Sequence, residues 1–132
     1  MITLDTSCVV ALATTNDANH RVAREALEGS DDLTVVPAPI LSEIAYMLDV
    51  RVGLRSVRAF LDGLVHGETY LDCADADLPR VVELMDRYED LGLSFPDASV
   101  IACAERNGGT VMTFDRRDFE VVAREVPITL LP

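Results

Sequence analysis

Four carboxylates occur in this chain where an ordinary soluble domain carries apolar side chains, and they recur at matching points. Asp5 ends the apolar run Met1–Leu4, and Asp115 ends Thr110–Phe114. Glu43 is the only charge between Ala38 and Leu48, and Asp97 heads the uncharged stretch Ala98–Ala104. An isolated buried carboxylate is strongly unfavourable, so acids in such surroundings need a partner. Hard cations such as Mg2+ and Mn2+ prefer carboxylate and water oxygens, at about 2.1 Å for Mg2+. Four ionised carboxylates match two divalent ions in formal charge, and two ions about 4 Å apart can hold a scissile phosphate between an attacking water and a leaving oxygen. A bound divalent cation is the leading candidate for the missing partner.

Each acid also has a simpler role open to it. Asp5 can cap the helix beginning near Ser7, and Asp115 can cap the turn Arg116-Arg117-Asp118. Asp97 fits the acidic position of a Ser94-x-x-Asp97 capping box. Glu43 can pair with a nearby arginine or reach solvent. None of these roles excludes a cation, and four separate coincidences are a weaker account than one shared cause.

The elements that must position these residues follow from the pattern of apolar runs. Strand-like runs occur at Met1–Asp5, Leu33–Val36, Thr69–Leu71, Thr110–Phe114 and Ile128–Leu131. Between them, helical patterns cover Ser7–Ala13, Asn19–Glu28, Pro39–Asp49, Leu54–Val65, Asp77–Leu91 and Pro96–Arg106, with glycines at 29, 53, 67 and 92 and the run Asn107-Gly108-Gly109 as punctuation. Strands alternating with helices predict an α/β fold with a mainly parallel sheet of four or five strands, covered on both faces. Ligands of such sheets bind beyond the carboxyl ends of the strands, where Asp5 and Asp115 fall. Glu43 shares a helix stripe with Ile40, Tyr46 and Met47, and Asp97 with Val100 and Ile101, so both are expected along apolar stripes rather than in solvent.

Composition narrows the chemistry further. With 132 residues, 49% hydrophobic and 26% charged, the chain is expected to form one globular domain over residues 1–132. No apolar run approaches the ~20 residues that cross a bilayer, and no basic segment opens a secretory signal, so a cytoplasmic location without a membrane role is expected. Cys8, Cys73 and Cys103 lack metal-ligand spacing and are expected as small buried hydrophobes; His20 and His66 are expected at the surface. The net charge of −12 opposes nucleic-acid binding by general attraction, so a polyanionic substrate would need added positive charge. All eleven basic residues are arginine, and a chain without lysine is neither a standard receiver domain nor a P-loop protein. Asp5-Thr6-Ser7 lacks the second acid of a haloacid-dehalogenase motif, and no G-x-G-x-x-G supports dinucleotide binding.

Leu4-Asp5-Thr6-Ser7, Ser42-Glu43-Ile44, Phe95-Pro96-Asp97-Ala98 and the segment from Asp97 to Phe119 with its Thr113-Phe114-Asp115 ending together resemble a PIN-domain ribonuclease of the VapC toxin type. The resemblance spans essentially the whole chain. It implies a three-layer α/β/α sandwich and an endoribonuclease dependent on Mg2+ or Mn2+ that leaves 5′-phosphate and 3′-hydroxyl ends. It also implies control by a cognate VapB-type antitoxin that occludes the site. Its acids map onto Asp5, Glu43, Asp97 and Asp115, with Asp118 as a further ligand, a supporting acid or a cap. Thr6, Ser7 and Thr113 are in position to orient ligands or waters, or to serve turns and caps.

Arg51, Arg55 and Arg58 fall at helical spacing when the join at Gly53 is ignored, and Arg116 and Arg117 follow Asp115. Either set can position RNA phosphates, although the break at Gly53 favours a solvated face for the first. Exposed apolar faces on the helices of Pro39–Val65 are expected to support a homodimer. The same residues also suit a non-catalytic PIN-like module binding a basic peptide, or another metal-dependent phosphoesterase. The run Asp72-x-x-Asp75-x-Asp77 has no interpretation at this level.

Overall fold

The computed structural model describes residues 1–132 and is organised by five short strands: β1 (Ile2–Leu4), β2 (Thr34–Pro37), β3 (Tyr70–Asp72), β4 (Thr110–Met112) and β5 (Thr129–Leu131). All pairings are parallel, in the order β3-β2-β1-β4-β5. β1 is central, and all three of its residues are buried, as expected for a parallel strand covered on both faces. The order runs outward from β1 in both directions, which places a topological switch between β1 and β4. Right-handed crossovers then put the helices of the β1–β2–β3 half on one face and those of the β3–β4–β5 half on the other. The crevice above that switch is where a doubly wound sheet receives its ligands.

The helices are α1 (Thr6–Ala13), α2 (His20–Glu28), α3 (Leu41–Arg51), α4 (Leu54–Val65), α5 (Leu78–Arg87), α6 (Phe95–Arg106) and α7 (Arg116–Val122). α1 packs against α2 and α3, while α6 lies against β1, β2 and β4 with α5 beside it. The core joins β1 and β4 residues Ile2, Leu4, Val111 and Met112 to Ile44 and Leu48 of α3, Val100 and Ile101 of α6 and Phe119 of α7. Unlike most of these helices, α4 has no fully buried residue.

Several boundaries differ from expectation. Pro39 stands in a 3-10 turn, Ala38–Ile40, ahead of α3, because its missing N–H and fixed φ suit an entry turn. α5 stops at Arg87 rather than Leu91; Glu89–Leu91 is a separate 3-10 turn closed by Gly92 in the left-handed region at φ 70°. α7, expected only as a turn, is a helix because Phe119 and Val122 on one side of it reach the core. The Asn107-Gly108-Gly109 stop holds as expected: Gly109 has φ 86°, and a Cβ there would sit 2.7 Å from the Pro127 carbonyl oxygen.

The acidic run after β3 has a structural explanation. Arg106 of α6 donates to Asp72 at 2.7 Å and to Asp77 at 2.8 and 2.9 Å, and Asn107 donates to Asp72 at 2.9 Å. The arginine fork thereby ties the end of β3 and the turn Asp75–Asp77 to the end of α6. These hydrogen bonds and charges hold the Asp72 carboxyl below its ordinary value and raise Arg106 further.

Candidate active site

Asp5 follows β1 directly and is only 4% exposed. Its Oδ2 accepts hydrogen bonds from Thr113 Oγ1 at 2.8 Å and Ser7 Oγ at 3.1 Å. Ser7 Oγ accepts from the Phe114 N–H at 3.0 Å, and Thr113 Oγ1 accepts from the Asp115 N–H at 3.1 Å. Two hydroxyls thus staple the end of β1 to the segment after β4, and each is spent on holding a carboxylate or its backbone in place. Neither Asp5 nor Asp115 caps its following helix by a side-chain hydrogen bond, so the capping account of these two acids fails. Burial pushes the Asp5 carboxyl upward, and its hydroxyl donors offset only part of that.

Asp97 lies in the first turn of α6 and is half-buried. Its N–H donates to Ser94 Oγ at 3.2 Å, which supplies the Ser94 half of the expected capping box. Its carboxyl is pushed up to about 7, first by burial and then by the negative charges of Asp5, Asp115, Asp118 and Glu43. Those acids come from the β1–α1 junction, the β4–α7 turn, α7 and α3, and their charges converge on Asp97.

An open cleft of about 700 Å³ contains Asp5, Glu43, Asp97 and Asp115 together. Glu43 and Asp115 are exposed at its mouth, which corrects the expectation that Glu43 lies along an apolar stripe away from solvent. A short helix stripe that leaves the core can face a cleft as readily as another helix. None of the four acids has an arginine within ion-pair distance. Asp118 is half-buried and outside the cleft lining; its shielded Oδ1 has the 3.4 Å approach of Arg117 Nε but no hydrogen bond.

The donor set is all oxygen and predominantly anionic, which fits a hard divalent cation rather than zinc or copper. No three carboxylates stand close enough to form a finished ligand cage as arranged. Like charges without counter-charge stand apart, and a hard ion that keeps several waters needs only one or two direct carboxylates. The residues fit such a group by chemistry and by the unmatched charge around Asp97.

The cleft extends past the acids to Asp17 and Asn19 of the α1–α2 turn, Tyr46, Met47 and Arg51 of α3, and Ser94. Asp17 and Asn19 were beyond sequence reasoning because a turn without periodicity gives no sign of what it faces. Among the expected bystanders, His20 and His66 bond helix carbonyls through Nδ1 and lie outside the cleft. Cys8 and Cys103 are buried, whereas Cys73 is exposed, contrary to expectation, because it follows β3 at the edge of the sheet. No helix is long and apolar enough to cross a membrane.

The family model of the PIN domain matches residues 2–125. The chain belongs to the PIN-domain family. It is 28% identical over 121 residues to ribonuclease VapC26 of Mycobacterium tuberculosis, covering 90% of each chain. The crystal structure of VapC20 from the same organism, titled a sarcin-ricin loop cleaving toxin, superposes with a TM-score of 0.84 at 23% identity over the whole of both chains. The structure of VapBC2 from Rickettsia felis, bound to a promoter DNA fragment, is similar with a TM-score of 0.70 at 18% identity, covering 98% of this chain and 97% of that one. At these identities the two structures establish the shared PIN fold, with its five-stranded parallel sheet flanked by helices.

Proposed function

We propose that this PIN-domain protein is a VapC-type endoribonuclease toxin that depends on Mg2+ or Mn2+ and is neutralised by a cognate VapB-type antitoxin. The observation that carries the reading is the convergence of Asp5, Glu43, Asp97 and Asp115 in one cleft above the β1–β4 switch, none of them ion-paired to an arginine. The similarity to ribonuclease VapC26 supports the reaction class, and the VapBC2 assembly of R. felis supports an antitoxin as partner.

When bound, the divalent cation supplies Lewis acidity at a phosphoryl oxygen and lowers the pKa of water. Asp5, Glu43, Asp97 and Asp115 would hold it, with Asp118 contributing negative field from behind Asp97. Thr113 and Ser7 keep the Asp5 carboxylate in one orientation by occupying Oδ2. Asp97 holds a proton up to about pH 7 and gives it up when counter-charge arrives. No side chain in the cleft is an activated serine, cysteine or lysine nucleophile, so water is the attacking group. In-line attack of water at phosphorus, with the P–O3′ bond breaking and O3′ leaving to take up a proton, gives a 5′-phosphate and a 3′-hydroxyl. A basic antitoxin segment matches the negative cleft, and an arginine placed among the acids would neutralise them in place of the ion.

Incubation of the purified protein with total RNA in Mg2+, Mn2+ or chelator, with mapping of cleavage ends, tests the reading. Metal-dependent cuts with 5′-phosphate ends are expected. Equal cutting by the Asp97→Asn variant would remove the assigned site.

A further inference from the structure

α3 carries more than Glu43 into the cleft. Tyr46, Met47 and Arg51 follow Glu43 at i+3, i+4 and i+8, on one side of the helix, and all four line the cleft. At 1.5 Å per residue, Arg51 lies about 12 Å along the axis from Glu43, with Tyr46 between them. Tyr46 is 67% exposed, the most exposed aromatic side chain of the protein. Its ring makes no hydrogen bond and packs into no core cluster, so the phenol face is free.

Arg51 is unusual in a different way. This chain has 23 acidic residues for 11 arginines, and most arginines are engaged by a carboxylate. Arg51, Arg55, Arg58 and Arg124 are the exceptions, and of these only Arg51 lines the cleft. An unpaired guanidinium there, at a distance from the acids, is placed to meet a second anion on the same ligand. An exposed aromatic ring between an anion-cleaving centre and a free arginine is the arrangement by which proteins hold single-stranded nucleic acid: bases stack on the ring while the backbone meets positive charge.

We propose that Tyr46 and Arg51 form the substrate-positioning strip of the cleft, along which single-stranded RNA is laid with one base stacked on Tyr46 and a phosphate neighbouring the scissile one held by Arg51. The inference rests on the ribonuclease reading above and deepens it, by specifying an unpaired strand and the direction in which it leaves the acids. It also explains how a protein of charge −12 engages a polyanion: the positive charge needed at the flanking phosphate is local. Both residues act on where the strand lies rather than on the reacting atoms.

The test uses the full chain, a single-stranded RNA oligonucleotide containing a mapped cleavage site, and the same sequence closed into a duplex. Tyr46→Ala is expected to raise KM about tenfold with kcat little changed, the size of one lost stacking contact, while Tyr46→Phe restores KM. Arg51→Gln is expected to raise KM and to make the log–log salt dependence shallower by about 0.7, the share of one phosphate on a single strand, and Arg51→Lys recovers the slope. The chain has no tryptophan, so Tyr46→Trp in an Asp97→Asn background reports stacking directly: its fluorescence is quenched by the single strand and not by the duplex. Both positions are exposed, and circular dichroism melts confirm that the variants fold. Cleavage by the wild type with unchanged KM and salt slope in the variants overturns the strip and leaves the ribonuclease standing. Variants that keep RNA kinetics and weaken only antitoxin binding assign the strip to a protein partner and overturn it as well. A wild type that neither cuts nor binds RNA overturns the ribonuclease reading and the strip with it.

Discussion

Two groups of carboxylates in this molecule are built in opposite ways. Around Arg106, Asp72 and Asp77 receive their counter-charge from the chain itself through short, forked hydrogen bonds, and the Asp72 carboxyl is held low. Around Asp97, four further acids contribute negative charge with no arginine in contact with the cleft carboxylates, and the Asp97 carboxyl is pushed up to about 7. The first group joins β3 to α6 and closes on itself. The second stays unbalanced, a condition that native structures tolerate chiefly where something else brings the balancing charge. In sequence the two groups look alike. What separates them is whether the fold delivers an arginine.

The largest effect that would break this contrast is functional. Asp97→Asn is expected to lower metal-dependent RNA cleavage by more than about 100-fold while leaving the melting temperature unchanged or higher, since it removes charge from a self-repelling cluster. RNA cleavage assays beside thermal melts check both halves; a variant that melts much earlier would make Asp97 a structural acid like Asp72.

A smaller functional loss is expected from Thr113→Val, which keeps the shape and deletes the hydroxyl that donates to Asp5 and accepts from the Asp115 N–H. Activity should fall about tenfold, the scale of losing a group that orients a ligand. Titration with Mg2+ should show weaker binding, and an unaltered titration would mean that the staple does not position Asp5.

On the other side of the comparison, Arg106→Ala is expected to cost about 1–2 kcal/mol of stability, because the fork is partly solvent-screened but its loss strips two shielded carboxylates of their counter-charge, with Asp72 still bonded by Asn107. Urea unfolding measures it, and cleavage per folded molecule should be retained.

The two groups should also respond to pH with opposite sign. The folded pKa of Asp97 lies above the ordinary 3.8, so the folded state binds its proton more tightly, and stability without metal declines as pH rises from about 3.8 to about 7. Asp72 is lowered, so its contribution is present above 3.8 and lost as pH falls through its folded value. Urea midpoints across pH for the wild type, Asp97→Asn and Arg106→Ala separate the two trends. Adding Mg2+ should stabilise more at pH 8 than at pH 5, and a pH-independent effect would argue against binding at Asp97.

Much of this was legible in the chain because short-range rules carry it. All five strands appear within one or two residues of their observed bounds, and α4 matches fully, since short runs of apolar and β-branched residues mark the strands and Gly53 and Gly67 mark the ends of that helix. α7 was missed because seven residues beginning Arg116-Arg117-Asp118 show too little periodicity; its helicity comes from Phe119 and Val122 docking in the core. The four candidate acids were legible as acids out of place, but Glu43 and Asp115 are exposed, and what unites them with Asp5 and Asp97 is the cleft rather than burial.

Residue order alone, then, carried the α/β alternation, the identities of the four acids and the absence of any lysine chemistry, because each is written in local pattern and composition. Which acids would be neutralised was a matter for the folded molecule. Asp72 and Arg106 are 34 residues apart, and Asp5 and Thr113 are separated by 108. Only the sheet order that sets β4 beside β1, and the packing of α6 across both, determines which of these distant charges meet and which are left without a counter-charge from the chain.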